Sequence, residues 1–164
     1  MKYQIFTGEK LNVLFIQTYT KAEVFSITHA PLGLLYLASI ARQNNNTITL
    51  LRCDVTSKSS IEETTEKVKE ADICAITTYT SQILLQYNLL NKIKHKSPTC
   101  IIVAGGPHAS SLPKKTMEEC NAIDFIVCGE GEQAFNELLY NLQSGINKLE
   151  KIKSLVYRKN DGEI

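Results

Sequence analysis

The chain has no tryptophan, four prolines and two methionines in 164 residues, and its five cysteines include no close pair. Cysteines at 53, 74, 100, 120 and 128 never approach the Cys-x2-Cys spacing of a zinc or iron–sulfur site. They read as reduced thiols that pack as small hydrophobes. No apolar run approaches the ~20 residues needed to span a bilayer. The opening Met1-Lys2-Tyr3-Gln4 lacks the basic-then-apolar layout of a signal peptide, so a cytoplasmic location is expected. Eighteen Lys plus Arg against seventeen Asp plus Glu give a net charge of +1. Without a basic block, there is no electrostatic footprint for nucleic acid. Also missing are a Gly-x4-Gly-Lys-Ser/Thr phosphate loop, a Gly-x-Ser-x-Gly nucleophile elbow and a His-Glu-x2-His metal motif. The sequence carries no self-sufficient catalytic centre.

What is present is an ordinary globular balance, 43% hydrophobic and 21% charged, in a chain long enough for one well-buried domain. Five short runs rich in β-branched or aromatic residues read as strands: 12–16, 47–51, 72–77, 100–104 and 124–128. Most are continuous rather than alternating, as in a parallel sheet buried on both faces. Between them lie helical patterns. Pro31–Gln43 carries Leu34, Leu37, Ala38 and Ala41, and Ser60 with Glu63 forms a capping signal. Ser81–His95 repeats Ile83, Tyr87, Leu90 and Ile93, Pro113 opens a short helix toward Cys120, and Gly131–Leu142 is closed by Gly145. The alternation predicts an α/β fold, a flavodoxin-like three-layer sandwich with a five-stranded parallel sheet in the order 2-1-3-4-5. Ser154–Arg158 reads as a further strand, and Asn160-Asp161-Gly162 as a hairpin turn whose return strand is cut short. The expected organisation is a domain over 1–150 and, over 151–164, the start of a hairpin or linker.

In an open parallel sheet, ligands bind beyond the carboxyl ends of the strands, at the switch in strand order. Thr-Tyr-Thr occurs at 18–20 and again at 78–80, so two hydroxyl-rich loops are expected to face each other there, with helix capping by Thr80 or Ser81 as the alternative. Gly105-Gly106-Pro107-His108 follows a buried strand, and its two glycines favour close approach to a large flat ligand. On that reading Gly106→Leu would block the ligand and spare the fold. Gly129-Glu130-Gly131-Glu132 fits a relaxed dinucleotide fingerprint in form only. It lies at the end of the sheet, and its glutamates would repel a pyrophosphate, so a tight turn entering a helix fits better. The long connection from Ile16 to Pro31, with Thr28-His29-Ala30-Pro31, is of a length that often carries function.

Three motifs in this order carry a resemblance: Pro31-Leu-Gly-Leu-Leu-Tyr-Leu-Ala38, Ala104-Gly-Gly-Pro-His-Ala109 with Pro113, and Asp124-Phe-Ile-Val-Cys-Gly-Glu-Gly-Glu-Gln-Ala-Phe135. From about Leu11 to Ile164 the chain resembles the N-terminal cobalamin-binding domain of cobalamin-dependent radical S-adenosylmethionine enzymes. The nearest subgroup surrounds the anaerobic magnesium-protoporphyrin IX monomethyl ester cyclase. The resemblance implies a corrin over the carboxyl ends of the strands, with its nucleotide tail beside Gly105 and Gly106. The loop Thr78–Ser81 would lie beneath the corrin, and Gly129 and Glu130 would border the crevice. The residues so assigned to the cofactor are Thr18, Tyr19, Gly33, Thr78, Thr80, Ser81, Gly105, Gly106, His108, Gly129 and Glu130, with none assigned to catalysis.

Two departures qualify the likeness. Cobalamin domains of the methionine-synthase type carry Asp-x-His-x2-Gly, whose histidine binds cobalt from below. Here Gly33 stands four residues after His29 and Ile27 takes the acid's place, so a cobalamin without an axial protein histidine is expected. The Cys-x3-Cys-x2-Cys that holds the 4Fe-4S cluster of the radical enzymes is also missing. The resemblance therefore implies that S-adenosylmethionine and the cluster belong to a radical domain of a parent chain, the expected partner. Neither nucleic acid nor membrane is an expected partner. The alternative is a flavodoxin-like regulatory or interaction domain that no longer binds a corrin.

Overall fold

A computed structural model describes residues 6–21, 30–145, 148–159 and 162–164. The apolar runs become β1 (Asn12–Tyr19), β2 (Thr47–Asp54), β3 (Ile73–Thr77), β4 (Ile101–Gly105) and β5 (Phe125–Val127). The helices are α1 (Leu32–Gln43), α2 (Lys58–Lys67), α3 (Ile83–Lys96), α4 (Pro107–Ser111), α5 (Pro113–Glu119) and α6 (Glu132–Ser144). A last strand, β6 (Leu155–Tyr157), completes a sheet in the order β2-β1-β3-β4-β5-β6. The first five strands are parallel in the expected 2-1-3-4-5 order, and β6 pairs antiparallel with β5 from Phe125↔Tyr157 to Val127↔Leu155.

The sheet thus has six strands rather than five. The segment expected to begin a hairpin supplies its sixth strand, and the neighbouring Ile152 is buried in the core. Backbone pairing with an otherwise open β5 edge explains why so short a strand is held. The turn expected at Asn160 and Asp161 lies outside the described residues. Around it, the Gly162 amide donates to the Lys159 carbonyl at 3.1 Å and Gly162 has φ +91°.

Successive side chains point to opposite faces of a strand, so each strand feeds two cores. Val13, Phe15, Ile73, Ala75, Ile101, Val103, Phe125 and Val127 pack with α1 and α6. Leu14, Ile16, Cys74, Ile76, Ile102, Ala104 and Ile126 pack on the other side with residues of α2, α3 and α5. The result is three layers. Phe15 and Phe135 meet at 5.8 Å between ring centroids, fixing α6 on the first strand. Four of the five thiols are buried in the α2/α3/α5-side core: Cys53, Cys74, Cys100 and Cys120. Burial raises their pKa, for Cys100 to about 12, which keeps them protonated.

Three local readings change. β1 and β2 each run three residues past the apolar stretch, because their ladder continues through Thr18↔Cys53 to Tyr19↔Asp54 whatever the side-chain polarity. Helix α2 starts at Lys58, and its cap is Ser57, whose Oγ accepts the Ser60 amide at 3.4 Å; Ser60 Oγ instead accepts the Asp54 amide at 2.9 Å. Pro107–Ser111, which begins inside the segment expected only to follow the fourth strand, is a short helix with proline in its first turn, a signal the sequence did carry.

Candidate functional site

Strands β3, β4 and β5 end together, and above them α1 and α6 leave a cleft of about 320 Å³. Its floor is Ala75, Val103 and Val127. Pro31, at the N-cap of α1, and Leu34 and Leu37 of α1 form one wall and Glu132 and Phe135 of α6 the other. Tyr79, Gly105, Gly106, Gly129 and Glu130 make the rim. Neither α1 nor α6 has a side chain capping its first turn. Two sets of helix-start amides therefore border an apolar slot, an arrangement that suits a ligand with a flat apolar body and polar acceptor groups.

The glycines divide into two kinds. A Cβ on Gly33 would meet nothing within 4 Å, so it leaves space that belongs to a ligand or to solvent; Gly129 opens on free space too, but its φ of +67° already calls for glycine. Gly106 is different. Its φ is +91°, and a Cβ there would come within 2.6 Å of Thr77 Cγ2 and 3.0 Å of the Thr78 backbone nitrogen and oxygen. The close approach that requires glycine is to the protein's own β3 loop, so Gly106→Leu would disturb the fold, contrary to expectation. Gly105 is intermediate, its notional Cβ standing 3.3 Å from the Val127 carbonyl oxygen.

Of the eleven residues singled out from the sequence, five meet in the cleft: Gly33, Gly105, Gly106, Gly129 and Glu130. Thr78 sits beneath the rim, fully buried, and its bonds are made within the protein. Its hydroxyl donates to the Gly105 carbonyl at 2.8 Å and accepts the Ala109 amide at 3.1 Å, and its own amide also donates to Gly105. Thr18 is likewise buried, and its Oγ1 donates to Gln82 Oε1 at 2.9 Å. Tyr19 lies half-buried on the last rung with β2, under the Arg52 guanidinium at 5.2 Å from its ring centre. Thr80 and Ser81 are exposed, and the Thr80 hydroxyl lies 3.0 Å from His108 Nδ1. His108 is buried, and its Nε2 has no hydrogen-bond partner. None of these last six residues lines the cleft.

The expected crevice between two facing Thr-Tyr-Thr loops is therefore displaced: the open space lies over β3–β5, between α1 and α6. Sequence reasoning missed the apolar walls, Leu34, Leu37 and Phe135, and named the loop that holds the rim residue Tyr79 without singling that residue out. The helical period of the two leucines was visible, but it signals core and cleft alike. His29 and Ile27, on which the axial-ligand reading turns, lie outside the described residues. Among the described residues no histidine lines the cleft, and no three His, Cys, Asp or Glu side chains gather as a metal site. Among them, too, no helix is long and apolar enough to cross a membrane.

Known proteins agree with this architecture. An uncharacterized methyltransferase of Pyrococcus horikoshii is 38% identical over 139 residues, covering 84% of this chain and 30% of that protein. The anaerobic magnesium-protoporphyrin IX monomethyl ester cyclase of Rubrivivax gelatinosus is 26% identical over 138 residues, 82% of this chain and 25% of the cyclase. The radical S-adenosylmethionine methyltransferase TsrM from Kitasatospora setae, solved with cobalamin and a [4Fe-4S] cluster bound, shares the fold. The TM-score is 0.76 at 17% identity over 94% of this chain and 30% of TsrM. The chain thus spans about a third or less of these proteins. Residues 21–139 match the profile of the B12 binding domain, a stretch that includes both cleft walls and every glycine of its rim, and the chain belongs to that family.

Proposed function

We propose that the cleft seats cobalamin and that the chain serves as the cofactor-holding module of a larger radical S-adenosylmethionine enzyme of the methyltransferase or cyclase type. The observation that carries this reading is the slot itself: Gly33 in one wall omits a side chain where the protein has nothing to fill the space, and uncapped helix starts of α1 and α6 border it. At about 320 Å³ the slot has room for one arm of a large ligand, so the nucleotide tail would lie in it with its single phosphate charge toward the α1 amides and away from Glu130 and Glu132, and the corrin would extend beyond its mouth.

Bound cobalamin would supply a methyl or electron relay to the parent enzyme. The chain's own residues bind and orient. Leu34, Leu37 and Phe135 exclude water from the buried arm, the helix-start amides of α1 and α6 offer donors to its polar groups, and Tyr79 closes one side. Thr78 and Thr18 act from below as posts for the loops, Tyr19, Thr80 and Ser81 would meet the part of the cofactor beyond the slot's mouth, and buried His108 holds Thr80. The cofactor is proposed to have no axial histidine from this chain. The radical domain of the parent polypeptide, with its own S-adenosylmethionine and cluster, would be the partner, working in the cytoplasm.

Titration of the purified chain with hydroxocobalamin, followed by visible absorbance and gel filtration, tests the reading. A saturable base-off spectrum with co-elution is expected, and Gly33→Leu should abolish both. A wild-type chain that takes up no hydroxocobalamin, or a Gly33→Leu chain that binds it unchanged, would overturn it.

A further inference from the structure

Strands β1 and β3 stop pairing before either one ends. Their last rung is Ile16↔Ile76. Beyond it β1 follows β2 to Tyr19↔Asp54, while β3 follows β4 to Thr77↔Gly105. A gap therefore opens in the middle of the sheet, at the reversal of strand order, and the backbone groups on its sides need partners.

Side chains from the start of α3 and the preceding turn fill the gap. Gln86 is completely buried. Its Nε2 donates to Thr18 Oγ1 at 2.6 Å and to the Thr77 carbonyl at 3.0 Å, and its Oε1 accepts the Tyr79 amide at 3.1 Å. Thr18 Oγ1 passes the chain on to Gln82 Oε1. The orientation of the carboxamide is dictated by its partners, since only its oxygen can meet an N–H and only its nitrogen can meet a carbonyl. One amide group thus replaces the missing rung, bonding β1 on one side and both flanks of Thr78 on the other.

We propose that Gln86 is a positioning residue for the ligand cleft: it locks the segment Thr77–Gln82, and with it the half-exposed Tyr79 on the cleft rim, to the end of β1. Its role differs from that of a core-filling residue, because its three bonds end at the switch point, on β1, on the last residue of β3 and on the loop after it, and none on the distant parts of α3. This inference rests on the cofactor reading only for its consequence in binding. The positioning itself is a property of the free protein.

Amide hydrogen exchange of the ligand-free chain decides it. In Gln86→Met, similar in shape and without the amide, exchange at Tyr79 and through Gln82 is expected to quicken about tenfold or more, as its three bonds are lost. Exchange in β4 and α6 should stay unchanged. Thr18→Val, which preserves strand shape and removes one bond, should give a smaller loss confined to the same segment, and it serves if Gln86→Met does not fold. A uniform rise in exchange across the sheet, or no change at 77–82, would reduce Gln86 to a packing residue and overturn the proposal. Titration with hydroxocobalamin then reports separately: weaker uptake by Gln86→Met links the lock to the seat. Failure of the wild-type chain to take up hydroxocobalamin would sink the cofactor reading without altering the exchange result.

Discussion

Gly106→Ala separates a glycine needed by the fold from one left for a ligand. Gly106 has φ +91° and ψ −176°, a region occupied almost solely by glycine, where a side chain costs about 1–3 kcal/mol. The added methyl would also sit 2.6 Å from Thr77 Cγ2 and 3.0 Å from two Thr78 backbone atoms. The threonine methyl can turn aside, but the Thr78 backbone is pinned by its paired bonds to Gly105, so overpacking adds about 1–3 kcal/mol. The sum, about 2–6 kcal/mol, corresponds to a fall in Tm of roughly 5–20 °C for a domain of this size. Thermal denaturation followed by circular dichroism reads it directly. Gly33→Ala is the companion. It sits in the first turn of α1 with open space beside it and should hold or slightly raise Tm, because alanine is the better helix former. A Gly106→Ala chain melting within a degree of wild type would refute the reasoning, since the β3 loop would then have room that the geometry denies it.

Other outcomes follow from single contacts. Lys94 donates to Asp124 at 2.7 Å and to the Cys100 carbonyl at 2.8 Å, so Lys94→Met should cost about 1–3 kcal/mol in urea unfolding, leaving a half-buried carboxylate without its cation. The Asp54 carboxyl is held below the usual carboxylate range, chiefly by the Thr56 hydroxyl at 2.6 Å and the Thr56 amide at 2.9 Å. A depressed folded value means stability present above about pH 4 and lost as the pH falls through the lowered value. Asp54→Asn should therefore flatten that part of the acid-unfolding curve. In the native protein a thiol reagent should label Cys128, the half-buried cysteine, before the other four, which should react only on unfolding.

The sheet order was legible because continuous β-branched runs and helix-length gaps leave few right-handed arrangements. The limits of the strands were not. Thr18, Tyr19 and Asp54 look like loop residues, and only the β1–β2 ladder makes them strand. The same extension moved Thr18 from the expected crevice to a buried bond with Gln82. Glycine could be found by sequence but its reason could not: Gly33 and Gly106 look alike as letters, and the difference lies in what a Cβ would touch. Gln86 gave no signal at all, because a glutamine in an amphipathic helix reads as solvated until the gap between β1 and β3 is seen.

The cleft draws its lining from Ala30 at one extreme and Phe135 at the other. A chain emerging residue by residue can complete the β1–β2–β3 half of its sheet long before α6 docks on Phe15, yet without α6 the slot has only one wall. Any molecule held there meets a finished protein. Its binding energy adds to stability by mass action on the folded state and has no part in guiding the chain to it.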